Sequence, residues 1–328
     1  MLKDNILPVL LQHPGEWVTG VTLAEQFGVS RMAVSKAVKS LVSEGNDIEA
    51  HKSRGYRLLC PGDRLSGGRI ARSLRTERFG RSLFILPVTS STNTAMKELD
   101  LRSLPEGHTL FAEEQTGGRG RFGRRFSSPA HAGIYMSVLL KPRLAPGDIP
   151  FLTHLAAIAV SRAVHAVAGV SADIKWVNDV YAGPKKLAGI LTEGVFTAES
   201  GTVEHVVTGI GVNTGEVSPD VRDIATSIQA ESGRVGIRNE LAAGILNAFE
   251  ETYFSYLSGE KEVLLAEYRS RLMLLGRGVT VLRGSEGYPA TAIDIDGDGG
   301  LIVRRTDGTL ETLTSGEVSL RLGEGGRA

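Results

Sequence analysis

A short segment between two apolar runs carries the residue types best suited to binding an anion. The segment EEQTGGRGRFGRRFSSP, residues 113–129, holds four arginines and four glycines. Glycine lets a backbone approach a ligand closely, and planar guanidinium groups pair with carboxylate or phosphate oxygens two at a time. We therefore expect a loop that wraps a negatively charged ligand. The alternative is a solvated basic loop that contacts nucleic acid nonspecifically.

The same segment contains the spacing G-x-G-x-x-G, which also occurs in dinucleotide-binding folds. That fingerprint opens a helix after a strand and needs an acidic residue about twenty positions further on. The sequence around the arginine loop does not follow this pattern, so we do not expect dinucleotide binding.

Three further polar clusters fall at the ends of strand-like runs. An amide and a carboxylate, Asn178 and Asp179 in KWVND, suit magnesium held jointly with substrate phosphates, or form an ordinary turn. Lys186 in KLAGILTE offers a point charge facing inward, or is an exposed hairpin lysine. Asn213 in GIGVN closes a strand, either as a polar contact to a base or sugar or as part of a tight turn.

The elements that must position these clusters are strands around a few helices. Between residues 84 and 213 apolar runs of strand length alternate with one long Ala-rich helix. Several strands with few helices indicate an α+β domain rather than a doubly wound one.

Composition narrows the class of protein. The chain has 328 residues, of which 41% are hydrophobic, so two or three domains are expected. Lys+Arg and Asp+Glu are 37 each, so basic surfaces must be local. A single cysteine excludes an internal disulfide, and the N-terminal residues lack the pattern of a signal peptide. We therefore expect a cytoplasmic protein. We also expect no membrane partner, because the most apolar window, residues 151–170, is interrupted by charge and is typical of a core helix.

The first sixty residues have the pattern of short helices followed by two short extended segments, a hairpin with basic residues at its tip around Ser53, Arg54 and Gly55. The segment TLAE, residues 22–25, has the pattern of a capping box, and Ser30 can cap the next helix. Six basic and three acidic residues lie between residues 31 and 57. Two helices and a basic hairpin resemble a winged helix-turn-helix, in which the second helix enters the major groove and the hairpin, called the wing, touches phosphate. The residues expected to contact DNA are Arg31, Ser35, Lys36, Lys39 and Arg54. The alternative is a small helical domain with a solvated basic face.

Pro- and Gly-rich residues separate this unit from the next, and glycine rises again near the C-terminus. We expect domains at residues 1–63, 64–274 and 275–328. Short strands in the last segment predict a small β-barrel. DIDGDGG, residues 294–300, lacks the ligand spacing of an EF-hand, so a hairpin turn is expected there.

In this order and at these spacings, SSTN, GRGRFGR, KWVND, KLAGILTE and GIGVN resemble the motifs of the biotin protein ligases, in particular those that also act as biotin operon repressors. The resemblance spans nearly the whole chain. It implies a winged helix-turn-helix, a central mixed-sheet domain of the class II aminoacyl-tRNA synthetase and biotin ligase type, and a C-terminal SH3-like barrel. It also implies formation of biotinyl-5'-AMP from biotin and ATP with Mg²⁺, and transfer of biotin to a lysine of a carrier domain.

The resemblance also implies site roles, carried over by motif. Lys186, Arg119 and Arg121 would act in catalysis, and Asp179 would hold the metal. The residues implied for biotin are Ser91, Thr92, Asn93, Gln115, Arg119, Gly120, Arg121 and Lys186. Those implied for ATP are Arg121, Asn178, Lys186 and Asn213. Ile190, Leu191 and Val212 would form apolar walls. The chain departs from the family pattern at Phe126, Val177 and His131.

The resemblance to bifunctional members implies a repressor that dimerises when biotinyl-AMP is bound and pairs two winged helices on operator DNA. Three alternatives stay open at this point. They are a ligand-sensing repressor without catalysis, a lipoate ligase, and a ligase whose winged helix no longer binds DNA.

Overall fold

A computed structural model describes residues 2–13, 15–43, 45–60, 62–196, 203–283, 286–314 and 319–322. Within these residues the chain forms an N-terminal helical unit with a small hairpin, a central seven-stranded sheet with helices, and a C-terminal antiparallel sheet.

The N-terminal unit has three helices followed by a two-stranded hairpin. Its elements are α1 Leu2–Gln12, α2 Gly20–Phe27, α3 Arg31–Ser43, β1 Asp47–His51 and β2 Gly55–Cys60. In α3 the residues at helical spacing, Val34, Val38 and Leu41, are buried in the core of this unit. Ser30 Oγ accepts a hydrogen bond from the Ala33 amide at 3.1 Å, which confirms the expected cap.

The predicted capping box at Thr22 is wrong by one turn. Helix α2 begins at Gly20, and Thr19 is its N-cap, with its side chain accepting from the Thr22 amide at 3.0 Å. Thr22 therefore lies in the first turn of the helix rather than before it.

The central sheet is mixed, as expected. Its strands are β3 Leu83–Thr89, β4 Thr109–Gln115, β5 Gly133–Leu140, β6 Asp173–Lys175, β7 Asp179–Ala182, β8 Lys185–Phe196 and β9 Val203–Asn213. They lie in the order β3-β4-β5-β9-β8-β7-β6, and only the β3–β4 pair is parallel. The helices of this part are α4 Gly67–Ser73, α5 Thr92–Lys97, α6 Phe151–Ala168, α7 Ile228–Ser232, α8 Arg238–Leu257 and α9 Lys261–Ser270.

The two faces of this sheet have different coverings. Helices α6 and α8 pack together over one face, and their apolar residues belong to the same core as Ile190, Ile210 and Val212. Helix α5 covers one end of the other face, where Met96 packs with Val207 in a separate cluster. The remainder of that second face is open to a cavity, where alternate residues of β9 are Gly209, Gly211 and Asn213.

The long apolar helix α6 is part of the hydrophobic core of the central domain. The stretch Pro146–Ala168 is long and apolar enough to cross a membrane by length and composition alone, but 78% of its most apolar window is buried inside the protein. The prediction of a core helix is confirmed.

The C-terminal strands form one antiparallel sheet, in the order β13-β12-β11-β10-β14. They are β10 Gly278–Arg283, β11 Glu286–Ile295, β12 Leu301–Arg305, β13 Leu310–Leu313 and β14 Ser319–Leu322. No pairing between β13 and β14 closes this sheet into a barrel among the residues that are described. The expected hairpin turn connects β11 to β12, where Asp296 Oδ1 accepts from the amides of Asp298 and Gly300.

This turn also contacts the central domain. The indole Nε1 of Trp176 donates to the Gly299 carbonyl at 2.8 Å. Gly299 has φ +82° and lies so close to the buried His154 ring that a Cβ there would overlap it. A glycine is therefore required at this point of the hairpin.

Candidate active site

The floor of the cavity is built by cross-strand rows of β5, β9 and β8. Residues directly opposite one another in antiparallel strands point to the same face. One row places Ser137 beside Gly209, and Gly209 beside Leu191. The next row runs Tyr135, Gly211, Gly189 and Asp179. Asn213 is the next residue of β9 on this face. Over about 13 Å of strand, β9 therefore places Gly209, Gly211 and the amide of Asn213 towards the cavity.

The two glycines of β9 leave room for side chains from other elements. A Cβ at Gly211 would lie 2.6 Å from the Phe126 ring, and a Cβ at Gly209 would overlap Asn93 Oδ1. Phe126 and Asn93 therefore reach over the sheet only because the strand beneath them lacks side chains.

Hydroxyl and amide groups fill the end of the cavity next to α5. The amide of Thr92 donates to Gln115 Oε1 at 2.8 Å, and Gln115 Nε2 donates to Ser128 Oγ at 2.9 Å. Ser137 Oγ lies 2.8 Å from Thr92 Oγ1 and donates to Asn93 Oδ1 at 2.6 Å. Buried polar groups with all these partners are held in one geometry.

The positively charged side chains Lys186 and Arg121 lie at the end of the cavity away from α5. Lys186 Nζ lies 2.7 Å from Asp179 Oδ1 and 5.8 Å from the centre of the Phe126 ring. Arg121 Nη1 donates to Asn178 Oδ1 at 3.4 Å, and Asn178 Nδ2 donates to the Ile190 carbonyl at 2.8 Å. Burial lowers the pKa of Arg121, and the carboxylate of Asp179 opposes that shift.

The arginine loop covers the cavity as a small hairpin. Residues Arg119 and Arg125 bridge across it, and the Gly120 amide donates to the Arg124 carbonyl at 2.7 Å. Of its glycines, Gly123 has a positive φ, while Gly118 lies against the Phe126 carbonyl where no Cβ would fit.

A second covering segment was not identified from the sequence. Residues 216–225 contribute Glu216, Val217, Ser218, Val221, Ile224 and Ala225 to the cavity wall. Ser218 Oγ lies 2.7 Å from Ser127 Oγ, so the two covering segments touch. The amide of Lys186 donates to the Ile224 carbonyl at 2.9 Å, which fixes this segment beside the lysine.

All the residues proposed for ligand and metal binding from sequence line this one cavity of about 340 Å³. They are Ser91, Thr92, Asn93, Gln115, Arg119, Gly120, Arg121, Asn178, Asp179, Lys186 and Asn213. Of the three expected apolar walls, Leu191 lies in a row that faces the cavity, whereas Ile190 and Val212 are buried in the core on the other face of the sheet, and Ile190 only borders the cavity between Gly189 and Leu191. Strand alternation explains this, since Val212 is one residue out of phase with Gly211 and Asn213.

The residues expected to contact DNA lie far from this cavity in sequence, on α3 and the hairpin. Arg31, Lys36, Lys39 and Arg54 are exposed, and Ser35 is half-buried. Arg54 lies in the turn between β1 and β2.

Comparison with known protein families finds three matches along the chain. Residues 85–213 match the biotin/lipoate A/B protein ligase family, residues 3–57 an HTH domain, and residues 274–321 the biotin protein ligase C-terminal domain. The bifunctional ligase/repressor BirA of Bacillus spizizenii is 34% identical over 97% of this chain and 98% of its own length.

The chain belongs to the biotin protein ligase family.

Another relative and a solved structure are also similar to this chain. BirA of Escherichia coli is 29% identical over 98% of this chain and all of its own length. The biotin protein ligase of Aquifex aeolicus, solved in complex with biotin and ATP, has a TM-score of 0.65 and 27% identity, and it covers 74% of this chain. The recognised family and its fold, with a helix-turn-helix, a mixed-sheet ligase domain and a C-terminal antiparallel domain, are therefore confirmed.

Proposed function

We propose that this protein is an ATP-dependent biotin protein ligase that is also a biotin-responsive repressor. In this proposal it forms biotinyl-5'-AMP and transfers biotin to a lysine of a biotin carboxyl carrier domain. The observation that carries the proposal is one cavity with fixed hydroxyl and amide groups at one end and Lys186 with Arg121 at the other.

In the first half-reaction the biotin carboxylate attacks the α-phosphorus of ATP, and pyrophosphate leaves. Two anions must approach each other, so the reaction needs positive charge at the point of contact. Lys186, Arg119 and Arg121 supply it, and the covering loop excludes water so that each donor acts more strongly. Lys186 neutralises charge here and forms no covalent bond.

In the second half-reaction the ε-amine of the carrier lysine attacks the carbonyl of the anhydride, and AMP leaves. The amine loses a proton as the amide forms. Asn178 and Asn213 hold the nucleotide while Ser91, Thr92, Asn93 and Gln115 hold the biotin head group, so the anhydride stays in place until the carrier arrives.

The site suits a magnesium ion that binds together with the nucleotide phosphates. Among the described residues no group of three or more His, Cys, Asp or Glu side chains could hold a metal ion. Mg²⁺ is usually held by one or two carboxylates, substrate phosphates and water. Asp179 supplies such a carboxylate, with Asn178 beside it, and the ion would neutralise phosphate charge.

Repression would follow from dimerisation. One winged helix reads one half-site, so specific binding to operator DNA requires two in fixed geometry. We propose that biotinyl-AMP favours the homodimer and that Arg31, Ser35, Lys36, Lys39 and Arg54 contact the DNA. By linkage, the dimer must then hold biotinyl-AMP more tightly than the monomer does.

We further propose domain boundaries at residues 1–63, 64–274 and 275–328, and a cytoplasmic location. The gaps between β2 and α4 and between α9 and β10 support the two boundaries.

Incubation of the pure protein with biotin, ATP, Mg²⁺ and a carrier domain tests the ligase. Covalent biotin on the carrier and released pyrophosphate are expected. Binding of biotin without pyrophosphate release would favour a sensor without catalysis, and preference for lipoate in direct competition would favour a lipoate ligase. Titration of operator DNA with and without biotin and ATP tests repression, and affinity is expected to rise with the ligands.

A further inference from the structure

Glu193 lies behind the polar end of the cavity and forms a charge-assisted contact with Asn93. Asn93 Nδ2 donates to Glu193 Oε2 at 2.7 Å and to the Leu191 carbonyl at 3.1 Å. The other carboxylate oxygen of Glu193 pairs with Lys97 Nζ at 2.8 Å. Glu193 does not line the cavity, so it acts on a ligand only through Asn93.

We infer that Glu193 fixes the orientation of the Asn93 amide and thereby makes this end of the cavity specific for a cyclic urea. A carboxylate accepts hydrogen bonds and donates none. The nitrogen of Asn93 must therefore face Glu193, and its oxygen must face Ser137 and the cavity. Both amide hydrogens of Asn93 are then used within the protein, and Asn93 offers a ligand only an acceptor.

The neighbouring groups complete a fixed pattern of donors and acceptors. The single hydroxyl hydrogen of Thr92 is committed within the protein, since Thr92 Oγ1 lies 3.2 Å from Gln115 Oε1 and 2.8 Å from Ser137 Oγ. Thr92 therefore also offers an acceptor. Gln115 Oε1 already accepts from the amide and the hydroxyl of Thr92, which leaves Gln115 one free amide hydrogen.

Among these three side chains, two acceptors beside one donor complement a urea, which has two N–H groups and one carbonyl. This inference rests on the proposed function and extends it to Glu193 as a positioning residue. A flipped Asn93 would point an N–H at a ligand N–H, and the pattern would fail.

The substitution Glu193→Gln should cause this flip. The introduced glutamine must turn its amide nitrogen towards either Lys97 or Asn93. The ammonium of Lys97 has only hydrogens to offer, so it attracts the glutamine oxygen, and the nitrogen is left facing Asn93. Asn93 then turns its own oxygen towards that nitrogen and a hydrogen towards the ligand, and it loses its hydrogen bond to the Leu191 carbonyl.

The test is the dissociation constant for biotin, measured by calorimetry on the full-length protein. We expect Glu193→Gln to weaken biotin binding at least about tenfold. Glu193→Ala removes the acceptor without introducing a donor, and Leu191 still accepts from Asn93, so it should weaken binding only about threefold. The KM for ATP and kcat at saturating biotin should change less than about twofold in both variants, because Glu193 and Asn93 lie at the end of the cavity away from the residues proposed to bind the nucleotide.

Lys97 supplies the matched control. Lys97→Met alone should bind biotin within about twofold of wild type. In Lys97→Met with Glu193→Gln the glutamine is free to turn its oxygen to Asn93, and biotin affinity should return to within about threefold of Lys97→Met. If Glu193→Gln alone melts far below wild type, the comparison of Lys97→Met with the double variant decides whether Glu193 acts by orienting Asn93. If the charge of Glu193 itself were needed, biotin affinity would not recover in the double variant.

The outcomes separate this inference from the proposed function. Wild-type protein that does not bind biotin would contradict the proposed function. If the wild-type protein binds biotin, three results would contradict the role of Glu193 while leaving the proposed function intact. They are unchanged biotin affinity in Glu193→Gln, weaker binding by Glu193→Ala than by Glu193→Gln, and no recovery of affinity in the double variant.

Discussion

Lys186 Nζ and Asp179 Oδ1 lie 2.7 Å apart at the charged end of the cavity, on neighbouring strands of the central sheet. Their separation is set by the register of β7 against β8, in which Asp179 is opposite Gly189. The lysine bends back over that glycine, and a Cβ on Gly189 would lie 3.1 Å from Nζ. Strand β7 therefore supplies the counter-ion of the lysine amine, and the glycine on β8 leaves the space that the amine occupies.

Lys186→Ala should reduce the rate of pyrophosphate release by at least about 100-fold, because the donor that neutralises the two reacting anions is removed. Lys185→Ala is the matched control. Lys185 Nζ donates to the Arg222 carbonyl and does not line the cavity, so its removal should change the rate less than about threefold. Stopped-flow measurement of pyrophosphate distinguishes the two, and similar rates in both variants would contradict the role of Lys186.

Arg121→Ala or Arg119→Gly should let biotinyl-AMP escape, because both guanidinium groups lie on the loop that covers the cavity. Radiolabelled adenylate should stay with the wild-type protein through gel filtration and dissociate from the variants at least about tenfold faster. Retention equal to that of wild type would show that the loop does not hold the adenylate.

Gly209→Ala should weaken biotin binding by at least about tenfold, since the new Cβ would overlap Asn93 Oδ1 and push that side chain from its position. Gly147→Ala is the control, because no atom lies within 4 Å of a Cβ placed there. Calorimetry with biotin gives both constants. An unchanged constant for Gly209→Ala would mean that Asn93 is not part of the binding site.

His154 should make the protein less stable as pH falls. Burial lowers the pKa of His154 to about 3, so below about pH 6.5 the unfolded chain takes up a proton that the folded chain does not. The free energy of unfolding should therefore drop by up to about 1.4 kcal/mol per pH unit between pH 6.5 and 3. Urea unfolding at pH 7, 6 and 5 measures this slope through tryptophan fluorescence.

The variant His154→Leu should remove that part of the pH dependence. His165, which is exposed on the same helix, is the control, and His165→Leu should keep the wild-type slope. Equal slopes in all three proteins would show that His154 is protonated at the same pH in the folded and unfolded states.

Lys36→Gln with Lys39→Gln should weaken operator binding and leave ligase activity unchanged. Each phosphate that the protein no longer neutralises makes the slope of log affinity against log salt shallower by about 0.9. Arg57→Gln is the control, because Arg57 pairs with Glu49 at 2.6 Å and lies over the ring of Trp17. Fluorescence anisotropy at several salt concentrations gives the slopes, and an unchanged slope for the double variant would exclude α3 from the DNA interface.

Some features of the site left no pattern in the sequence. Residues 216–225 have the composition of an ordinary loop, and tertiary contacts such as the bridge between Lys186 and Ala225 and the contact between Ser127 and Ser218 show that they wall the cavity. Ser137 gave one signal, a hydroxyl within the otherwise apolar run GIYMSVLL, but nothing there indicated that it contacts Asn93. Val212 was assigned to the wrong face because the phase of a strand relative to its neighbours cannot be read from that strand alone.

The sequence by itself determined the chemistry and the order of the elements. Arginine, glycine and lysine motifs indicate anion binding wherever they occur, and helix and strand periodicity depends on local spacing. The tertiary structure decided which side chains meet at the cavity, because Asn93, Glu193 and Ser137 are 44 to 100 residues apart and come together through the register of β5, β8 and β9 and the packing of α5 on that sheet. Donor and acceptor directions then follow from those contacts, since each polar group offers a ligand only what its protein partners have left free.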